Sequence, residues 1–177
     1  MLYDLLKKCV SIFFNLFNKL LGGKLPPFGS ACVVAESQNH YLVIELPHNR
    51  VVFPGGFMNW RETPQQAAER EGREETGLIL HADDLIGYYP CVSDKITNMS
   101  TISFVYHAEI VSGALQMNAE GQPRWIHERD LRPLLSPHSQ RILDDYLSYR
   151  LRQKAKTGAL LSENSLQLVH SGRLSIN

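Results

Sequence analysis

"RETPQQAAEREGREETGL", residues 61–78, carries five glutamates and three arginines in eighteen positions. A helix that only meets solvent tolerates such charge in any order, whereas a site needs spacing. Thr63 is a residue type favoured at a helix N-cap, Pro64 suits the first helical position, and Gln66 stands three residues after the cap. Gly77 closes the far end, where a left-handed residue is wanted. The pattern predicts a helix over 64–76. At about 100° per residue, Ala67, Ala68, Glu71, Gly72, Glu74 and Glu75 fall on one side. Gln66, Glu69, Arg70 and Arg73 fall on the other side or its flanks. The small residues mark a face pressed against the body, yet three carboxylates share it. Carboxylates crowded on such a face raise each other's pKa or pull the helix outward unless a cation neutralises them. A hard divalent cation with oxygen ligands, Mg²⁺ or Mn²⁺, fits that requirement. The alternative is a surface helix laced by Glu69–Arg73 and Arg70–Glu74 pairs, each of them weak.

Just upstream, "VVF" (51–53) reads as a short strand stopped by Pro54, Gly55 and Gly56. A Gly-Gly loop after a strand lets backbone N–H groups approach an anion, though a turn needing positive φ explains it equally well. "SACVVAE" (30–36) and "YLVIEL" (41–46), separated by "SQNH", read as a hairpin. "LIGYYPCV" (85–92), "TISFVYHAEIV" (101–111) and "PRWIH" (123–127) read as further strands. "SPHSQRILDDYLSYRL" (136–151) has apolar residues at helical spacing, with Ser136 before Pro137 as its start. Strands and helices in this order predict an α/β sandwich, a sheet flanked by helices.

The chain of 177 residues suits one domain with a short extension, and its 18 basic and 18 acidic residues cancel. No general attraction to nucleic acid follows from that balance, so any polyanion must be held locally. Cys9, Cys32 and Cys91 form no close pair, which favours a reducing, cytoplasmic compartment over a disulfide scaffold. The divisions expected are a helix and linker over 1–27, a mixed body of strands and helices over 28–153, and a polar tail over 154–177.

With these elements in place, the resemblance is specific. Gly56, Glu62, Arg70-Glu71 and Glu74-Glu75-Thr76-Gly77-Leu78 stand at the spacing of the Nudix box, and the body from about residue 28 to 150 resembles the Nudix hydrolases. Gly72 departs from the pattern, since the family usually has a bulky aliphatic residue there. The resemblance implies a Nudix-type α/β/α sandwich with a mixed sheet. It also implies hydrolysis of a nucleoside diphosphate linked to another group X, with Mg²⁺ or Mn²⁺ as cofactor. Glu71, Glu74 and Glu75 match the metal-binding glutamates, Arg70 the arginine that orients them, Glu62 a supporting carboxylate, and Gly56 the glycine that shapes the loop. A binding-only Nudix-like module that senses a nucleotide is the alternative. Dimers are frequent in the family, which leaves a homodimer open.

Outside the box, Glu120 precedes "GQPRWIH" where an acidic residue of the family often reaches the metal, as ligand or base. Glu109 is a second choice that alternation places on a strand. Gly55, Trp60, Arg61 and the loop "VSDKITN" (92–98) are candidates to touch substrate, Trp60 by stacking; Trp125 is expected in the core. Residues 2–21 project as an amphipathic helix. Asp4, Lys7, Lys8, Ser11, Asn15, Asn18 and Lys19 fill one arc of about 120°, and every other residue is apolar. Most such helices form core, so packing on its own domain or across a dimer is expected. A membrane interface is the alternative, favoured by the net positive polar face and by Phe13, Phe14 and Phe17.

Overall fold

The computed structural model describes residues 2–47, 49–117 and 121–172. β1 (Phe28–Val34) explains the architecture. Its apolar run is continuous because both faces are covered: Ala31 and Val33 pack into one core cluster, Cys32 and Val34 into another. β1 pairs in parallel with β7 (Thr101–Gly113), from Phe28 opposite Thr101 to Val34 opposite His107. Its other edge pairs antiparallel with β5 (Gly55–Phe57), and β6 (Leu78–Cys91) pairs antiparallel with β7. The result is a mixed sheet in the order β5-β1-β7-β6. In a second sheet, β3 (His40–Leu46) takes β8 (Gln122–His127) on one edge, and β2 (Glu36–Ser37) and β4 (Arg50–Val52) on the other.

Helix α2 (Pro64–Thr76) covers the cluster of Ala31, Val33, Leu78 and Leu80, supplying Ala67 and Ala68 at zero exposure. Trp125 packs, partly buried, on the same cluster, as expected of a core residue. A short helix α3 (Glu128–Leu131) and a 3-10 turn (Arg132–Leu134) lead into α4 (Pro137–Gly172). Ile142, Leu143 and Tyr146 of α4 cover the opposite cluster with Val34, Tyr41, Phe53 and Val105. Helices on both faces of a mixed sheet make the expected α/β/α sandwich.

Several expectations need correction. The hairpin of 30–36 with 41–46 is confined to Glu36–Ser37 against His40–Tyr41, turned by Gln38 (φ 50°) and Asn39 (φ 60°). β1 cannot extend it, because β5 and β7 occupy both of its edges. Gly55-Gly56 is strand rather than loop. The last helix does not stop near Leu151 ahead of a polar tail. It continues to Gly172, through residues that are mostly good helix formers with no proline among them. Residues 173–177 lie outside the described residues.

The β2–β3 turn is tied to α4 by a polar cluster. The Arg150 guanidinium donates to Glu36 at 2.9 Å and to Glu128 at 2.6 Å, and Tyr41 and Tyr146 donate to those same carboxylates. Arg150 holds the Glu128 carboxyl below its ordinary 4.5, against a smaller opposing effect of burial. A depressed folded pKa stabilises above the unfolded pKa, and that contribution is lost as pH falls through the folded one. Arg150→Ala leaves partly buried carboxylates without their cation and should cost about 2 kcal/mol at neutral pH. The deficit relative to wild type should shrink in acid, below about pH 4.5, as urea unfolding across pH will register.

Helix α1 (Leu2–Leu20) does not pack as its pattern suggested. Ser11 is buried and Phe14 packs at a tilt on Phe28, while Leu6, Phe13, Leu16 and Leu20 are exposed. The expectation that its apolar face packs on its own domain is overturned. Its C-terminus is a Schellman arrangement: Gly23 N–H reaches Asn18 O, Gly22 N–H reaches Lys19 O, and Gly22 is left-handed at φ 71°. Among the described residues, no helix is long and apolar enough to cross a membrane.

Candidate active site

The helix bearing the carboxylates is fixed at both ends as its sequence predicts. Gln66 N–H donates to Thr63 Oγ1 at 3.2 Å, and Thr63 N–H donates to Gln66 Oε1 at 3.0 Å. Gly77 takes the left-handed C-cap at φ 77°, its N–H on Arg73 O. Inside the helix, Gly72 faces Leu80 and Val33, and a Cβ there would sit 2.7 Å from Leu80 Cδ1. Leu80 thus occupies the volume that a larger residue at 72 would take. Gly72→Leu should destabilise by about 1–3 kcal/mol through overpacking. Gly72→Ala should come out near neutral, because about 1 kcal/mol of helix propensity offsets the displacement of a flexible methyl. Thermal melts of both variants check this; a Gly72→Leu protein melting above wild type would contradict it.

Arg70 organises the carboxylates. Its Nε and Nη2 donate to the two oxygens of Glu62 at 2.8 and 2.9 Å, and Nη1 donates to Glu71 at 2.8 Å and Glu74 at 3.1 Å. Nη2 also donates to the Phe57 carbonyl at 2.9 Å, tying α2 to β5. Glu62 is aimed by a turn in which Arg61 is left-handed (φ 65°) and Asn59 N–H donates to Glu62 Oε2 at 2.8 Å. The guanidinium and that N–H hold the Glu62 carboxyl below the ordinary carboxylate range, against the opposing effect of burial. Its hydrogen bonds to Glu62 and Glu71 keep Arg70 firmly protonated.

Gly55 and Gly56 bring β5 onto the acid edge of the helix. Gly55 N–H donates to Glu75 Oε2 at 2.8 Å. A Cβ on Gly56 would fall 2.5 Å from the Glu71 carboxylate carbon, and one on Gly55 would fall inside Cys32 and the Ala31 carbonyl. Glu75 is buried, Glu71 half-buried and Glu74 the exposed member.

These carboxylates turn toward Arg70 and Gly55. Among the described residues, no three His, Cys, Asp or Glu side chains converge tightly enough to hold an ion as they stand. The donor set fits a hard cation nonetheless. Glu71, Glu74 and Glu75 are neighbours at i, i+3 and i+4 and all are oxygen donors, and holding an ion would require Glu71 and Glu74 to turn from Arg70.

A family model described as the NUDIX domain matches residues 26–146. The chain belongs to the Nudix family. It is 28% identical over 166 residues to an ADP-ribose pyrophosphatase of Methanocaldococcus jannaschii, covering 81% of this chain and 98% of that one. It is 30% identical over 99 residues to a MutT-like protein of Streptomyces ambofaciens, 54% of this chain and 61% of that one. Among solved structures, a Nudix hydrolase from Nitrosomonas europaea superposes with a TM-score of 0.60 at 22% identity, covering 70% of this chain and 90% of that one. A MutT protein from Methanosarcina mazei gives 0.61 at 18%, covering 72% and 97%. Membership makes the chain a Nudix pyrophosphohydrolase.

A cavity of about 250 Å³ opens between β5 and the start of α4, lined by Gly55 and Gly56 and by Cys32, Phe53, Ser103 and His138. His138 stands at the start of α4, its ring edge-on to Tyr89 with centroids 5.8 Å apart. Burial, with Arg141 nearby, holds its pKa below the ordinary 6.5, so the ring is neutral at physiological pH. Nothing in the spacing of the histidines marked it; only the packing of α4 across β1 brings it to the glycines. The burial of Cys32 pushes its thiol up to about 12, which makes it an inert wall.

Other candidates stand elsewhere. Trp60 is 89% exposed on the turn before α2. Glu109 is exposed on β7, opposite His81. The 92–98 loop holds α1, since Ile96 and Asn98 carbonyls accept from Asn15. Glu120 lies outside the described residues.

Proposed function

We propose that this Nudix hydrolase cleaves the diphosphate of a nucleoside diphosphate linked to another group, using Mg²⁺ or Mn²⁺, with ADP-ribose the first substrate to test. The observation that carries the reading is Glu71, Glu74 and Glu75 on the one edge of α2 against which Gly55 and Gly56 press β5. The relative from M. jannaschii, whose length is almost wholly covered, supports ADP-ribose.

Glu71, Glu74 and Glu75 would hold the cation, which supplies charge neutralisation and a water of lowered pKa when bound. Arg70 gathers Glu62, Glu71 and Glu74 along one edge of α2, and Glu71 and Glu74 would turn from it to take the ion. Gly56, lacking a Cβ, leaves room for the Glu71 carboxylate between strand and helix. The cavity beside it is below the usual size of a site enclosing a whole ligand, so it suits one end of a dinucleotide-sized molecule. Neutral His138 can offer that end a donor or an acceptor. Water attacks one phosphorus, the bridging P–O bond breaks, and two phosphate monoesters leave. From ADP-ribose these are AMP and ribose 5-phosphate. The free cysteines suit a cytoplasmic setting for this chemistry.

A panel of ADP-ribose, UDP-sugars, dinucleotides, diadenosine polyphosphates and nucleoside triphosphates, with Mg²⁺ or Mn²⁺ and phosphorus NMR of the products, tests this. Release of two monoesters from a diphosphate-linked member is expected. Tight binding of a nucleotide with turnover of none would favour the sensing module instead.

A further inference from the structure

Helix α1 meets its domain through the polar strip. Asn15 Nδ2 donates to the Ile96 and Asn98 carbonyls at 2.9 Å each, Leu25 N–H donates to Asn18 Oδ1 at 2.9 Å, and Ser11 is buried. Phe14, at the edge of the strip, packs on Phe28 with ring centroids 4.3 Å apart. The opposite side is left bare. Leu6, Val10, Phe13, Leu16, Phe17 and Leu20 are each between 46% and 81% exposed. The apolar arc of the sequence spans about 240° of a helix about 28 Å long, and its exposed part, from Leu5 round to Leu21, spans about 160°.

Two features say what covers it. The first is width. A single partner helix covers a stripe of about 100–120°, as in a coiled coil or a bundle, so a second copy of α1 would leave about a quarter to a third of the exposed arc in water. A lipid interface takes the whole of it, because an amphipathic helix lying there buries its apolar side about 5–10 Å deep. The second is charge. Residues 2–27 hold four lysines (7, 8, 19 and 24) and one acid, Asp4, so their net charge is 4 − 1 = +3 in a chain whose total is zero. Lys8 and Lys19 are exposed at the border between the docked strip and the apolar arc, the level at which lipid headgroups would lie. Two copies paired along α1 would set these lysines near one another without matching acids.

We propose that α1 lies in the interface of an anionic lipid bilayer and carries the hydrolase domain on its polar side. The Schellman turn at Gly22-Gly23 and the prolines at 26 and 27 set a short exit from the helix into β1. The domain therefore stands on the helix through Asn15, Asn18 and Phe14 rather than swinging on a long tether.

Sedimentation of the full chain with sucrose-loaded vesicles of equimolar phosphatidylcholine and phosphatidylglycerol tests this. The chain should pellet with them, pellet several-fold less with phosphatidylcholine alone, and detach as salt is raised. F13E/L16E, at exposed positions, should keep the wild-type melting temperature and lose roughly tenfold or more of the partitioning. K8E/K19E should lose chiefly the preference for the anionic vesicles. A wild-type chain that stays in the supernatant with both vesicles would overturn the proposal, as would F13E/L16E pelleting like wild type. A solution dimer, seen by light scattering and dissolved by F13E/L16E, would assign the face to a second copy and equally overturn it.

Discussion

Glu75→Gln should fold as the wild type does and lose roughly two orders of magnitude or more in turnover. Glu75 is buried at the foot of the site, and its Oε2 accepts from Gly55 N–H at 2.8 Å. A glutamine oxygen can accept that same bond, so the contact between α2 and β5 survives and only the charge is lost. Turnover therefore falls without a matching fall in melting temperature, and measuring both separates a ligand from a strut. Glu71→Gln should act similarly. Glu74→Gln should be milder, because Glu74 is 55% exposed and partly screened by water. An undiminished rate for Glu75→Gln on every substrate would mean that this helix is not the catalytic element.

Gly56→Ala should lower kcat/KM by roughly ten- to a hundredfold through a group that makes no bond to the cation. The new Cβ would lie 2.5 Å from the Glu71 carboxylate carbon and 2.6 Å from each of its oxygens. A carboxylate is the free end of a flexible side chain, so Glu71 can swing away and the protein still folds. It then leaves Arg70 Nη1, now 2.8 Å distant, and its place on the acid edge. Titration with Mn²⁺ should show weakened binding alongside the lost activity. Gly55→Ala makes the contrast: its Cβ meets the Cys32 side chain and the Ala31 backbone, which cannot move independently of β1. That variant should appear as a loss of thermal stability. If Gly56→Ala instead kept full activity, Glu71 would have no role that depends on its position.

The site was legible where chemistry is local. Thr63, Pro64, Gln66 and Gly77 bracket a helix whose caps the structure reproduces residue by residue, and Arg70's grip on Glu71 and Glu74 follows from i, i+1 and i+4 neighbours. Its grip on Glu62 depends on the left-handed turn at Arg61, which spacing does not reveal. Periodicity failed where pairing is non-local. β6 begins at Leu78 rather than near Leu85: burial alternates over Leu78–Ala82, but apolar Ile79 on the outer face hides that alternation in the sequence, and a register shift between Ala82 and Leu85 interrupts it. Gly55-Gly56 passed for a loop because glycine carries no strand preference; the edge of β1 recruits it. The His138 wall and the strip of α1 that docks are tertiary facts. For α1, the amphipathic pattern correctly predicted a helix with one apolar side. It could not say that Ile96 and Asn98 would present carbonyls to Asn15 and so draw the polar side inward.

The central claim is that carboxylates of α2 hold the cation on which diphosphate cleavage depends. Its most direct test is a turnover assay on the full chain stripped by a chelator, with ADP-ribose as substrate and Mg²⁺ or Mn²⁺ added back stepwise. No AMP should appear before the cation is added, and release of AMP and ribose 5-phosphate should be saturable afterwards. Release that continues undiminished in excess chelator would contradict it.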